Sequence, residues 1–151
     1  MELTINNAML KYNLLNCVKY SDENISLSRE AKIKIIKNKL NLDKIYKEFN
    51  QFQAKAVEEV KTPRYNELVA KAERTPEEEE EARKLLDELN ADLRNILTQK
   101  SGEIVEVNLE FFTEEDFNSF LEVNINNSVV INGVSLPAEE YVVMVHNEFV
   151  E

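Results

Sequence analysis

"SLSREAKIKIIKNKLNLDKIYKEFNQFQAKAVEEVK", residues 26–61, decides the fold. It contains neither glycine nor proline. Its apolar residues fall at Ile33, Ile36, Leu40, Leu42, Ile45, Phe49, Phe52, Ala56 and Val60. Steps of mostly three and four place them on one stripe of a long helix, with lysines on the other face. Ser28 is the expected N-cap, and Thr62–Pro63 interrupts the helix.

Working outward, "TPRYNELVAKAE" (residues 62–73) reads as a short helix, capped by Thr62 and opened by Pro63. "RTPEEEEEARKLLDEL" (residues 74–89) then repeats the Thr-Pro start. Ala82, Leu85, Leu86, Leu89, Leu93, Ile96 and Leu97 trace a second stripe. The two long helices carry opposite net charge and matching stripes. They are expected to form an antiparallel hairpin over residues 28–98, with the short helix at its turn. The glutamates Glu77 to Glu81 read as helix architecture: Thr75 caps, Pro76 opens, and Glu78 takes the capping-box position. First-turn acids complement the helix dipole, and Glu80 and Lys84 have ion-pair spacing.

Towards the N-terminus a helix is expected from about Asn7 to Val18, capped by Asn6, followed by the polar loop "KYSDENIS" (residues 19–26). After Ser101–Gly102 the period changes. In "EIVEVNLEFF" (residues 103–112) Val105, Val107, Leu109 and Phe111 alternate with Glu106, Asn108 and Glu110, as in a half-buried strand. "TEEDFNSFLE" (residues 113–122) is a short helix capped by Thr113, with Phe117, Phe120 and Leu121 inward. Val129 to Ile131 form a strand or extended loop before a turn at Asn132–Gly133. "SLPAEEYVVMVHNEFVE" (residues 135–151) is a closing helix, with Ser135 as cap, Pro137 at its start and Tyr141, Met144, Val145 and Phe149 inward. Its β-branched run leaves a strand as the competing reading. The fold class is therefore α+β, mostly α: a single domain over residues 1–151, with a helical part (1–99) and an acidic α+β part (100–151).

The chain has 151 residues, 43% apolar and 31% charged, which fits a globular domain with a real core. Two glycines exclude Gly-rich phosphate loops. Cys17 is the only cysteine, so no intramolecular disulfide forms, and it reads as a small buried side chain. There is no signal-peptide pattern and no stretch near the ~18 apolar residues of a membrane span, so a cytoplasmic location is expected. Net charge is −11 and unevenly spread. Residues 29–61 carry nine basic and five acidic residues; residues 100–151 carry one Lys and eleven acids. Direct binding to nucleic acid or to an anionic membrane is disfavoured, because phosphate contacts need clustered Lys and Arg.

No chemistry-bearing motif emerges. One His (His146) and one Cys cannot build a usual zinc site. Calcium-loop, phosphate-loop, dinucleotide, nucleophile-elbow and HExxH patterns are absent. The sequence thus offers no catalytic, cofactor-binding or metal residues. Its candidate interaction residues are acids of the last third: Glu103, Glu106, Glu110, Glu114, Glu115 and Asp116.

The order of parts resembles a class of small proteins encoded by tailed bacteriophages and prophages. The resemblance rests on layout: a short apolar segment ("NAMLKYNLLNCVKY"), a long basic helix ("LSREAKIKIIKNKLNLDKIYKEFNQFQAKAVEE"), an acidic helix, and an acidic segment such as "VEVNLEFFTEEDF". It implies a phage origin, an infected or lysogenic bacterial cell, and a non-enzymatic role in the particle or against the host. The expected function is protein–protein interaction, with itself or with a phage or host protein. Homo-oligomers are included, since a two-helix layer leaves apolar surface uncovered. The alternative is an acidic inhibitor that imitates nucleic acid and occupies the basic groove of a host defence protein. Small-ligand binding or catalysis is the least favoured reading.

Overall fold

The computed structural model describes residues 1–151 and is 67% helical: α+β, mostly α. In chain order the elements are β1 (Glu2–Thr4), α1 (Ile5–Asn16), β2 (Ser21–Asp22), β3 (Ile25–Ser26), α2 (Arg29–Val60), α3 (Pro63–Ala70), α4 (Pro76–Ser101), β4 (Ile104–Glu106), α5 (Glu114–Asn124), β5 (Val129–Ile131), β6 (Val134–Leu136) and α6 (Ala138–Phe149). The strands form three antiparallel pairs, β1 with β4, β2 with β3 and β5 with β6. No helix is long and apolar enough to cross a membrane.

The chain divides into two compact units, Met1–Tyr46 with Ile104–Glu151, and Lys47–Glu103. This division differs from the sequence division at residues 99/100. The reason is pairing: Leu3 lies opposite Val105, so the N-terminal strand belongs with the acidic third. The junction also falls inside α2, whose residues up to Tyr46 belong to the first unit.

In the first unit, α2 buries Ala31, Ile35, Asn38 and Leu42. These residues recur at steps of four, three and four, one face of a helix. The stripe expected from the sequence began instead at Ile33, Ile36 and Leu40, and these three are exposed. Hydrophobicity alone selects the wrong face, because the buried one contains an alanine and an asparagine. The core is completed by Leu14 and Leu15 of α1, Phe112, Phe120 of α5, and Tyr141, Val145 and Phe149 of α6, all nearly or fully buried.

Asn38 explains that face. Its Nδ2 donates to the Glu110 carbonyl at 2.9 Å, and its Oδ1 accepts from the Glu110 N–H at 2.8 Å. Asn41 Nδ2 donates to the Asn108 carbonyl at 2.9 Å. The expected strand over 103–112 is therefore only partly a strand. β4 ends at Glu106; beyond it Val107 still exchanges backbone bonds with Met1 and Phe112 bonds the Phe149 carbonyl, but between them Asn108 and Glu110 meet asparagine side chains of α2. The Asn38 clamp satisfies part-buried backbone groups that would otherwise be left unpaired, while the Asn41 bond lies at the exposed surface.

Other boundaries shift by a few residues. α1 starts at Ile5, capped not by Asn6 but by Thr4, whose Oγ1 accepts from the Asn7 N–H at 3.1 Å. The loop expected over 19–26 contains the small hairpin β2–β3, with Glu23 at its turn in the left-handed region (φ 51°). Asn132 (φ 52°) and Gly133 (φ 77°) both take left-handed conformations, which a two-residue hairpin turn between β5 and β6 requires. The Thr113–Asp116 capping box opens α5. The closing helix is α6, but Ser135 stays in β6 and Pro137 occupies the cap position with no side-chain hydrogen bond.

In the second unit, Lys47–Val60 of α2 and the returning α4 form the helical hairpin, with α3 at the turn. Lys100 in the last turn of α4 places its Nζ 5.1 Å from the Phe52 ring centroid. The buried apolar residues of this unit are Ala56, Leu68, Ala82 and Leu89. The glutamate run is architectural. Thr75 and Glu78 form a full capping box, Arg64 makes two 2.9 Å bonds to Glu81, Glu78 meets Lys71, and Glu79 meets Arg74. Glu80 pairs with Arg83 at 2.6 Å rather than chiefly with Lys84.

Replacing Asn38 by Leu leaves the Glu110 N–H and carbonyl without partners and should cost about 2–4 kcal/mol of stability. Glu110→Gln, which keeps the backbone clamp, should cost less than about 1 kcal/mol. Urea denaturation midpoints at constant m-value check both.

Candidate protein-interaction surface

The six acids singled out from the sequence do not form one surface. Glu103 belongs to the second unit, where it pairs with Lys100 at 2.9 Å. Glu110 pairs with Lys37 at 3.2 Å across exposed side chains. Asp116 is buried and bound to Lys34 Nζ at 2.5 Å, while its Oδ2 also accepts from the Thr113 N–H at 3.0 Å. Burial alone would raise the Asp116 carboxyl. The Lys34 hydrogen bond and the Thr113 donors outweigh it, so the group titrates below the usual 3.8. Asp116 is thus part of the fold. Glu106, Glu114 and Glu115 remain exposed, Glu106 opposite Glu2 in the β1–β4 register.

The residues considered for chemistry are also absorbed into packing. His146 meets the Phe117 ring edge-on at 4.8 Å. Cys17 is half-buried, burial pushes its thiol pKa up, and its carbonyl accepts from Asn127 Nδ2 at 2.8 Å. A thiol held protonated is a poor nucleophile. No cluster of three or more His, Cys, Asp or Glu side chains converges as a metal site would require. Lys11 is buried against the Glu148 carboxylate at 2.8 Å, the Glu148 carbonyl at 2.7 Å and the Phe149 ring.

A different feature stands out on the first half of α2. Ile33, Ile36 and Leu40 are 39%, 49% and 69% exposed. At 3.6 residues per turn they lie opposite the face formed by Ala31, Ile35, Asn38 and Leu42. By the same period Lys32 and Lys39 flank the strip on one side, and Lys37 and Lys44 on the other. Beside it lies an open pocket of about 250 Å³ lined by Tyr12, Tyr20, Ile36, Lys39, Leu40 and Asp43. Two contacts hold Tyr12 in its wall. Tyr12 stacks on Tyr46 with ring centroids 4.4 Å apart, and its hydroxyl donates to Asp43 Oδ1 at 2.9 Å. On the other side of Leu40 a larger depression of about 540 Å³ is lined by Lys37, Leu40, Asn41, Asn108, Leu109 and Glu110. Sequence reasoning missed this surface because it assigned the same three residues to the core. The available signal was the parallel stripe at Ala31, Ile35 and Leu42.

In the second unit, an open groove is lined by Tyr65, Val69, Pro76, Ala82 and Leu86 with Arg74, Glu79, Glu80 and Arg83. Its charged rim is internally paired, Arg74 with Glu79 and Arg83 with Glu80. Lys37 on one border of the α2 strip is likewise paired, with Glu110, but Lys32 and Lys39 on the other border make no ion pair, so that side of the strip is the better candidate for recognising a partner.

Comparison with known protein families, curated proteins and solved structures finds no match for this chain.

The Asp116 pair gives a pH dependence. Its folded carboxyl is depressed below 3.8, so the stabilisation is complete above that pH and is lost as the pH falls through the lower folded value. Asp116→Asn should remove about 1–3 kcal/mol at pH 7 and flatten the acid limb of the stability curve below the ordinary aspartate value of 3.8. Thermal unfolding of both proteins across that range tests this. Parallel acid limbs would place the titration elsewhere.

Proposed function

We propose that this chain is a non-enzymatic accessory protein of the tailed-phage type, acting through protein–protein contact, and that the exposed strip of α2 is its docking surface. The observation that carries the reading is the two-faced helix. One face of α2 is fixed in the core by Asn38, and the opposite face presents Ile33, Ile36 and Leu40 to solvent between lysines. Exposed aliphatic side chains flanked by charge and set beside an aromatic pocket are the composition of a partner contact: an apolar centre and a polar rim. Tyr12 and Tyr20 supply rigid area at low entropic cost.

The lysine rim favours an acidic partner. Such contacts gain association rate and specificity from complementary charge more than net affinity. The six acids singled out from the sequence are less suitable as one docking surface, since Asp116 is buried against Lys34, Glu110 is paired with Lys37 and Glu103 belongs to the second unit.

Ile36→Glu with Leu40→Glu should abolish partner capture while leaving stability within about 1 kcal/mol of wild type, because both side chains are largely exposed. Co-purification from infected or producing cells, beside a thermal melt, checks both halves. Undiminished capture by a folded double variant would exclude the strip as the docking surface.

A further inference from the structure

The strip's partner can be specified further, on the premise that the strip is a docking surface. An isologous contact between two copies would set one lysine-bordered strip against another. In an antiparallel pair with Ile33 of one copy over Leu40 of the next, Arg29 meets Lys44 and Glu30 meets Asp43. Lys34 likewise meets Lys39, while Lys32 faces Asn41 and Lys37 faces Ile36, so the charges that do meet are of like sign, which disfavours that geometry.

The same chain carries the opposite chemistry elsewhere. Residues 104–151 hold ten acids and no Lys or Arg. On α6, Glu139, Glu140, Val143 and Asn147 are exposed, while Tyr141, Val142, Val145 and Phe149 are buried. Val143 is 53% exposed and lies one turn beyond the two glutamates, so α6 shows an acid-headed strip with an aliphatic residue in it. Glu122 and Glu115 are exposed on α5, which packs against α6. An apolar strip rimmed by lysines and an acidic strip carrying an aliphatic residue complement each other in sign and polarity.

We infer that a second copy of this chain is the occupant: the α6 strip of one molecule, Glu139, Glu140 and Val143, docks on Ile33, Ile36 and Leu40 of the next. The contact uses two different surfaces of one chain, so it is heterologous and propagates head to tail into rings or filaments. Its ion pairs form between Lys32 or Lys39 of one copy and Glu139 or Glu140 of the other. These lie at an interface rim, so assembly weakens as salt screens them.

Sedimentation velocity of the full chain over a hundredfold range of concentration, at low and high salt, tests the inference. Species larger than a dimer should grow with concentration and shrink at high salt. Ile36→Glu/Leu40→Glu and, separately, Glu139→Lys/Glu140→Lys should each sediment as monomers with unchanged circular dichroism. An equimolar mixture of the two should give a capped heterodimer, because each variant keeps one intact surface. A wild-type chain that stays monomeric, or assembly that survives either variant, overturns the inference. A photo-crosslinker at position 40 separates this from the underlying reading. Crosslinks to another copy support the inference. Crosslinks only to a different protein in producing cells overturn it and leave the docking strip standing. No crosslink to any protein removes both.

Discussion

The bidentate clamp of Asn38 on the backbone of Glu110 sets the rotation of α2, and with it the identity of every surface on the first unit. A helix with apolar residues on two faces can bury either. Ile33, Ile36 and Leu40 offer more aliphatic area than Ala31 and Ile35 with Leu42. The hydrophobic effect alone would favour burying the larger set. Asn38 reverses that order, because the segment after β4 runs along α2 and presents an N–H and a carbonyl that need partners. The exposed strip is thus a consequence of a polar requirement on the opposite side of the same helix.

The device recurs. Asn124 accepts from the Lys19 N–H at 2.9 Å and donates to the Lys19 carbonyl at 3.1 Å, while Asn127 donates to the Cys17 carbonyl and to Asn124 Oδ1. The hydroxyl of fully buried Tyr141 donates to the Leu14 carbonyl at 2.7 Å, and Ser119 Oγ accepts from the Ser28 N–H. Side chains of the last third therefore tie down the backbone at the end of α1, in the following loop and at the start of α2. No buried side-chain nitrogen or oxygen is left without a hydrogen-bond partner. Networks of this kind specify one arrangement more sharply than apolar packing does, since a shifted register leaves polar groups unpaired. With strands of only two or three residues, that specificity has to come from side chains.

What the sequence disclosed follows the same physics. Local signals were legible: the Thr-Pro helix starts, both capping boxes, the Asn132–Gly133 turn and the long uninterrupted helix each depend on residues within four positions. The helical hairpin was legible only in part: expected over residues 28–98, it takes only Lys47–Val60 of α2, because the first half of that helix belongs to the other unit, and Leu86 of the expected α4 stripe is exposed. The face of α2 in the first unit was not legible, because Asn38 counts as a surface residue until Glu110, 72 positions away, is placed beside it. For the same reason the acids of residues 103–116 looked like one patch in the sequence. Only their distant partners, Lys34 for Asp116 and Lys37 for Glu110, separate the structural from the exposed.

Charge follows from this arrangement too. The first half of α2 brings Lys32, Lys34, Lys37, Lys39 and Lys44 to the unit that holds all of the acidic last third beyond Glu103. Lys34 and Lys37 are turned towards Asp116 and Glu110. The helical period carries Lys32 and Lys39 to the opposite side, beside Ile36 and Leu40. One helix thus contributes cations both to internal cohesion and to an outer rim. A chain whose net charge is −11 nevertheless carries a local row of cations beside Ile36 and Leu40. At physiological ionic strength fields decay over ~8 Å, so a partner approaching this strip responds to the nearby lysines more than to the net charge of the whole molecule.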